Sequence, residues 1–227
     1  LPKARAGQDC LGNSWLAAPG HKRTHAAAKP TCIFDPKAEV GLKERKGVSM
    51  KDLEKLFLTE LEDIYDGEQQ LVQALSEMEE SAASGELKSA FHDHREQTRI
   101  HVNRLESVFR AIGQEPHRRS CKGLEGIIDE GEKLAKEFRG NSALDAGLIA
   151  SGQKAEHYEI TSYGTLCSWA QELGNTQVAD LLLENLSEEK ATDEKLTRLA
   201  ETYRNPEAAH RDTEKKGEGI LSKLTGS

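Results

Sequence analysis

Aromatic residues make up only 5% of this 227-residue chain, and there are only six prolines. Sheets draw on aromatic and β-branched side chains, so this scarcity argues against a β-sandwich or barrel. The four cysteines (Cys10, Cys32, Cys121 and Cys167) show no paired spacing. A disulfide framework is therefore not expected, and a reducing cytoplasm is. No apolar run approaches membrane-spanning length. The opening stretch, LPKARAGQDCLGNSWLAAPG, lacks the apolar core of a secretory signal. No nucleophile motif, phosphate-binding glycine loop or nucleic-acid signature stands out. The basic residues near the start (Arg5, Lys22, Arg23, Arg45, Lys46) are too dispersed to form a patch. A soluble cytoplasmic protein with neither a membrane nor a nucleic-acid partner is expected.

Charge, by contrast, is plentiful: 31% of residues are ionisable and the net is −8. Residues 1–49 hold nine Lys/Arg against four Asp/Glu, so the remainder carries 22 against 35, a net of −13. An acidic body is compatible with attracting cations, and equally with a surface kept soluble by charge. One domain with tails suits this length. Residues 1–48 have no sustained period and read as a disordered or loosely attached extension. Residues 49–204 read as a helical bundle, and 205–227, rich in charge and glycine, as a flexible tail.

The first helix is expected from Ser49 to Ala82, broken by Ser84–Gly85. A second runs over 86–112 and stops at Gly113. A short helix follows over 122–138, ended by Gly140. The next begins after Ser142, whose hydroxyl is suited to capping, with Asp145 supporting the first turn. It runs to Leu173, with Gly174 as the stop. Asn175 is placed to cap the last helix, which continues to about Tyr203 before Asn205–Pro206. Short turns make two antiparallel hairpins. The thirty or so residues between them, the short helix included, suit a crossover along the bundle. The expectation is an all-α, ferritin-like four-helix bundle with an extra short helix in the long crossover; an up-down bundle with a decorated loop is the alternative.

Each long helix interrupts its apolar stripe with metal-capable side chains. At about 100° per residue, Glu68 shares a face with Phe57 and Leu75. Glu159 lies about 20° from the Leu148–Leu166 line, and Glu156 on the edge of that face. Glu189 and Asp193 bracket Leu182, while His94, Thr98 and His101 lie on the second helix's stripe with Gln97 beside them. Glu96, Glu188 and His157 are predicted to face solvent, and Cys167 to be a packed or half-exposed thiol. Counted from each hairpin turn, the inward groups lie at matching depth. An ionised carboxylate in a core is too costly to leave unpaired, so several that converge share a cation or titrate together. Oxygen-rich ligands with one or two imidazoles suit iron or manganese better than zinc. The expected metal ligands are Glu68, His94, His101, Glu156, Glu159, Glu189 and Asp193; a metal-free polar network is the alternative.

The runs LEDIYDGEQQLVQAL (61–75), FHDHREQTRIHVNRLESVFRAIG (91–113), AEHYEITSYGTLCSWAQELG (155–174) and LLLENLSEEKATDEKLTRLA (181–200) resemble the YciE/YciF family of bacterial ferritin-like stress proteins. The resemblance covers residues 50–203, with the segment at 121–126, and excludes both tails. It implies a ferritin-like bundle, a dinuclear metal centre and a homodimer. Ferritin-like di-iron sites use one Glu from each of two helices and Glu-x-x-His from each of the others. Glu68 and Glu156, with Glu159 three residues on, match the single-Glu helices. Glu189 matches the fourth helix, but Thr192 stands where the paired His would be, and Asp193 is the expected substitute. Glu96-x-x-Arg99 breaks the pattern outright. Two functions follow: a metal-binding redox protein that oxidises ferrous iron or consumes peroxide, or a non-catalytic helical dimer working through protein contacts. Tyr163, one turn from Glu159, is a candidate hydrogen-bond or electron donor to the metals, or a structural tyrosine. No catalytic residue is assigned.

Overall fold

Glutamate, leucine and alanine are the commonest residues after residue 49, and no proline interrupts the stretch until Pro116, so helix is the cheapest local solution. The computed structural model describes residues 50–209. Its elements are α1 (Met50–Ser81), α2 (Gly85–Ala111), α3 (Lys122–Glu137), α4 (Leu144–Glu172) and α5 (Thr176–Leu199), followed by a π-helical turn (Ala200–Arg204). The readings of residues 1–48 and of Cys10 and Cys32 lie outside the described residues, as does the tail beyond 209.

Both hairpins close by side-chain capping. Ser84 accepts a hydrogen bond from the Leu87 amide at the start of α2, and Asn175 accepts one from Val178 at the start of α5. Gly113 and Gly174 take positive φ (+70° and +75°), which lets the chain leave α2 and α4 without a Cβ penalty. Ser142 does not cap α4. The Asn141 carboxamide accepts from Ala143 N at 2.9 Å instead. Asp145 points inward and accepts from Ala83 N (2.7 Å) and Ser84 N (2.9 Å), tying the start of α4 to the α1–α2 turn. Nor does Asn205–Pro206 end the last helix. The π turn widens the hydrogen bond to Asn205 N–H···O=C Ala200, and helix resumes over 205–209. Loosening the ladder just before Pro206, which has no N–H to donate, lets the chain stay helical through it.

In the bundle α1 packs on α2 and α4, and α5 packs on α2 and α4. The crossover carries the chain from one end at Ile112 to the other at Leu144, and α3 lies along the outside of α1 and α4. This is an all-helical, ferritin-like bundle. Its apolar interior is split in two. One core holds Phe57, Leu61, Leu105, Phe109, Tyr163, Leu166 and Leu182, and the other Leu75, Leu87, Phe91, Leu148, Ile149 and Leu196. Every long helix contributes to both cores; on α2 and α5 the stretch between them is polar, while Glu68 on α1 and Glu156 and Glu159 on α4 lie among residues of the first core.

Candidate metal centre

The polar layer is built from the middle of each long helix: Glu68 on α1, His94 and His101 on α2, Glu156 and Glu159 on α4, and Glu189 on α5. Spacings of three and seven residues keep each pair on one face of its helix. None of the six is more than 4% exposed. They gather in two groups. In one, a donor atom from each of His94, Glu156, Glu159 and Glu189 lies within 4.8 Å of the others; in the second, the same holds for Glu68, His101 and Glu189. Glu189 belongs to both.

Inside the layer, His94 Nε2 is 3.0 Å from Glu156 Oε1, and His101 Nδ1 is 2.7 Å from Glu189 Oε1 and 3.5 Å from Glu68 Oε1. The 2.7 Å contact lies within hydrogen-bonding distance, yet neither atom makes a hydrogen bond that is also well aligned. Glu68 Oε2, His94 Nδ1, Glu156 Oε2 and both oxygens of Glu159 and Glu189 are likewise buried without a hydrogen-bond partner. Buried polar atoms are nearly always paired, so this many orphans in one place is unusual. Two donors on one octahedral ion, each about 2.1 Å from it, stand about 3 Å apart, the spacing seen here. The residues present therefore fit a hard or borderline cation.

The electrostatics agree. Burial pushes the carboxyls of Glu68, Glu189 and, most strongly, Glu159 above their ordinary range, and Glu156 up to about 8. Burial also lowers His94. It opposes protonation of His101 too, but the carboxylates of Glu189 and Glu68 outweigh it and push that imidazole up to about 11. Without a cation, the layer keeps protons that it would not hold in water.

A second set of residues holds the first in place. His101 Nε2 sits 2.8 Å from Glu188 Oε2, an arrangement that leaves Nδ1 to face the layer. Arg104 grips Glu188 through Nη1 (2.9 Å), Glu184 through Nε (3.0 Å), and donates to the Asn185 carboxamide oxygen. Asn185 Nδ2 donates to the Tyr163 hydroxyl (2.9 Å), which donates in turn to Glu68. Tyr163 is fully buried, and burial holds its hydroxyl protonated well above its ordinary range.

Against the sequence reading, Glu68, His94, His101, Glu156, Glu159 and Glu189 are brought together, but Asp193 is not. Its carboxylate lies one turn outward at the rim, where Gln153 Nε2 donates to it (3.0 Å) and His157 approaches to 3.6 Å. Thr192 is buried and donates to Gln97 Oε1 at 3.4 Å. Glu96 and Arg99 face outward and pair with each other at 3.1 Å. Glu188, expected in solvent, is only half exposed and orients His101. Sequence reasoning missed it, with Arg104 and Asn185, because these residues flank the stripe. The available signal was the His101–Arg104 spacing of three, facing Asn185 and Glu188 at the same spacing on the partner helix. Cys167 is fully buried, its thiol 3.7 Å from Ala179 O.

Residues 52–209 match the family model described as a domain of unknown function, DUF892. Protein YciF of Escherichia coli (strain K12) is 40% identical over 165 residues, spanning 72% of this chain and 99% of that protein. Two solved structures superpose with a TM-score of 0.63 each. One is YcfI from Rhodopseudomonas palustris, described provisionally as a structural protein (40% identity, covering 68% of this chain and 96% of that one). The other is the E. coli stress protein YciF (42% identity, covering 65% and 94%).

Proposed function

This chain belongs to the DUF892 family, and on that premise we propose that it is a stress-related helical protein whose bundle holds a dinuclear iron or manganese centre. The observation that carries the reading is the pair of donor groups sharing Glu189, whose buried oxygens and nitrogens lack hydrogen-bond partners. In this reading Glu68, His101 and Glu189 hold one ion, and His94, Glu156, Glu159 and Glu189 the other. Such a pair, when bound, supplies one-electron chemistry, with ferrous oxidation or peroxide consumption as the expected reactions. The chain's own residues prepare for it. Glu188 orients His101, Tyr163 and Asn185 hold the Glu68 carboxylate, and the two apolar cores keep bulk water from the layer. Assembly as a homodimer belongs to the same reading and rests on the family resemblance.

A second reading, a metal-free polar layer in a non-catalytic protein, is favoured by one observation. The His101 imidazole, which the Glu189 and Glu68 carboxylates push up to about 11, already lies 2.7 Å and 3.5 Å from the carboxylates that a cation would neutralise. Metal content decides between the two. Protein produced in iron- or manganese-supplemented medium is expected to carry about two ions per chain. Loading should raise Tm in the parent but not in Glu68→Ala or Glu189→Ala. Protein that stays metal-free under both supplements refutes the dinuclear reading.

A further inference from the structure

Around the polar layer, support from outside is one-sided. Arg104 lies on α2 one turn past His101, is largely buried, and faces Glu184, Asn185 and Glu188 on α5. Its Nε is 3.0 Å from Glu184 Oε2, its Nη1 2.9 Å from Glu188 Oε2 and its Nη2 3.4 Å from Glu188 Oε1. Nη1 also donates to the Asn185 carboxamide oxygen. A guanidinium holds its donors in a rigid planar fork, so this one side chain fixes Asn185 and Glu188 together. From these two residues, two arms run inward. Glu188 Oε2 is 2.8 Å from His101 Nε2. Asn185 Nδ2 donates to the Tyr163 hydroxyl at 2.9 Å, and that hydroxyl donates to Glu68. Asn185, Tyr163, His101 and Glu68 are each at most 1% exposed, so bulk water does not compete at the inner links.

Both arms end on one donor group, that of Glu68, His101 and Glu189. Among the described residues the other group has no such backing. Neither oxygen of Glu159 has a hydrogen-bond partner, and the His94 ring meets Glu156 at 3.0 Å, inside the group itself. On its outer side this group meets open space instead. His94 and Glu156 line a cavity of about 280 Å³ beneath α3, with Gly131 and Gly152 in its walls. Residues that orient metal ligands from outside typically change metal affinity about ten- to a hundredfold. We propose that Arg104, which pairs with none of the six inward residues, is a positioning residue for the ion held by Glu68, His101 and Glu189, and has no influence on the ion held through His94, Glu156 and Glu159. The inference rests on the dinuclear reading and adds that the two ions are held unequally.

The test is a calorimetric titration of the full chain, stripped of metal, with manganous ion. Two binding steps of different affinity are expected. Arg104→Gln should weaken one step about ten- to a hundredfold and leave the other unchanged. Glu159→Gln should weaken the step that Arg104→Gln spares, which assigns each step to its donor group. Glu188→Gln and Tyr163→Phe each cut one arm and should move the same step as Arg104→Gln. Combined with Arg104→Gln, neither should add its full effect, whereas changes that merely loosened the fold independently would add. If Arg104→Gln fails to fold, Arg104→Lys, which keeps the charge but not the fork, carries the comparison. Equal weakening of both steps overturns the role of Arg104, and so does a parent that takes both ions in one indivisible step. A parent that binds neither manganese nor iron sinks the dinuclear reading, and the inference with it. A parent with two resolved steps that the Arg104 variants leave untouched sinks the inference alone.

Discussion

Glu156 illustrates how burial reverses the ordinary behaviour of a carboxyl. Transfer into the layer raises it from 4.5 to about 8, so the folded protein holds a proton that the unfolded chain releases. Its contribution to stability is complete below pH 4.5 and is lost as pH rises through about 8. Glu68, Glu159 and Glu189 shift the same way. His101, raised to about 11, also loses its contribution only as pH climbs. Metal-free protein is therefore expected to lose roughly 5–10 °C in Tm between pH 6 and pH 9, read by differential scanning calorimetry. Loading with manganese should flatten or reverse that slope, because cations take the place of the protons. A metal-free Tm that holds steady across this range would contradict the burial argument.

At the scale of an element, α3 depends on what its neighbours lack. A Cβ on Gly67 of α1 would stand 2.4 Å from Leu124, and one on Gly123 only 2.5 Å from the Tyr158 ring. Leu124 ends in a flexible side chain that can swing aside. Tyr158 cannot so easily, because its hydroxyl donates to Asp63 (2.9 Å) and receives the Cys121 thiol (3.4 Å). Asp66 anchors the start of the same helix, accepting from Cys121 N (2.9 Å) and Arg118 (2.7 Å). Gly123→Ala is accordingly expected to cost about 1–3 kcal/mol in chemical denaturation. Hydrogen exchange should show the lost protection concentrated in α3. Uniform loss over all five helices would mean that α3 is not a separable cover.

At the scale of the whole molecule, the described residues, 50–209, hold two apolar cores and one polar layer. A fragment limited to those residues is expected to fold, to keep Tm within about 3 °C of the full chain and to bind the same number of ions. Sedimentation should find it, like the full chain, at twice the mass of one chain, as the homodimer reading requires. A fragment that folds but sediments as a monomer while the full chain is dimeric would assign the contact to the segments outside the bundle.

Much of this architecture was legible along the chain, because helix phase and depth are local properties. A period near 3.6 determined which face of α1 holds Glu68, and capping by Asn175 and the stop at Gly174 follow from a few adjacent residues. Periodicity also placed Glu68, His94, His101, Glu156, Glu159 and Glu189 at one depth. It could not tell which of them share a neighbourhood, for that depends on how far each helix turns about its own axis once packed. Packing alone left Asp193 at the rim with Gln153, drew Glu188 in to His101, and carried helix through Pro206 by way of the π turn. The cavity beneath α3 has no signature in the sequence, since it exists only where three helices meet around glycines. Local spacing thus decided what each helix offers, and tertiary contact decided which offers are joined, because proximity across helices is a property of the packed interior rather than of the chain.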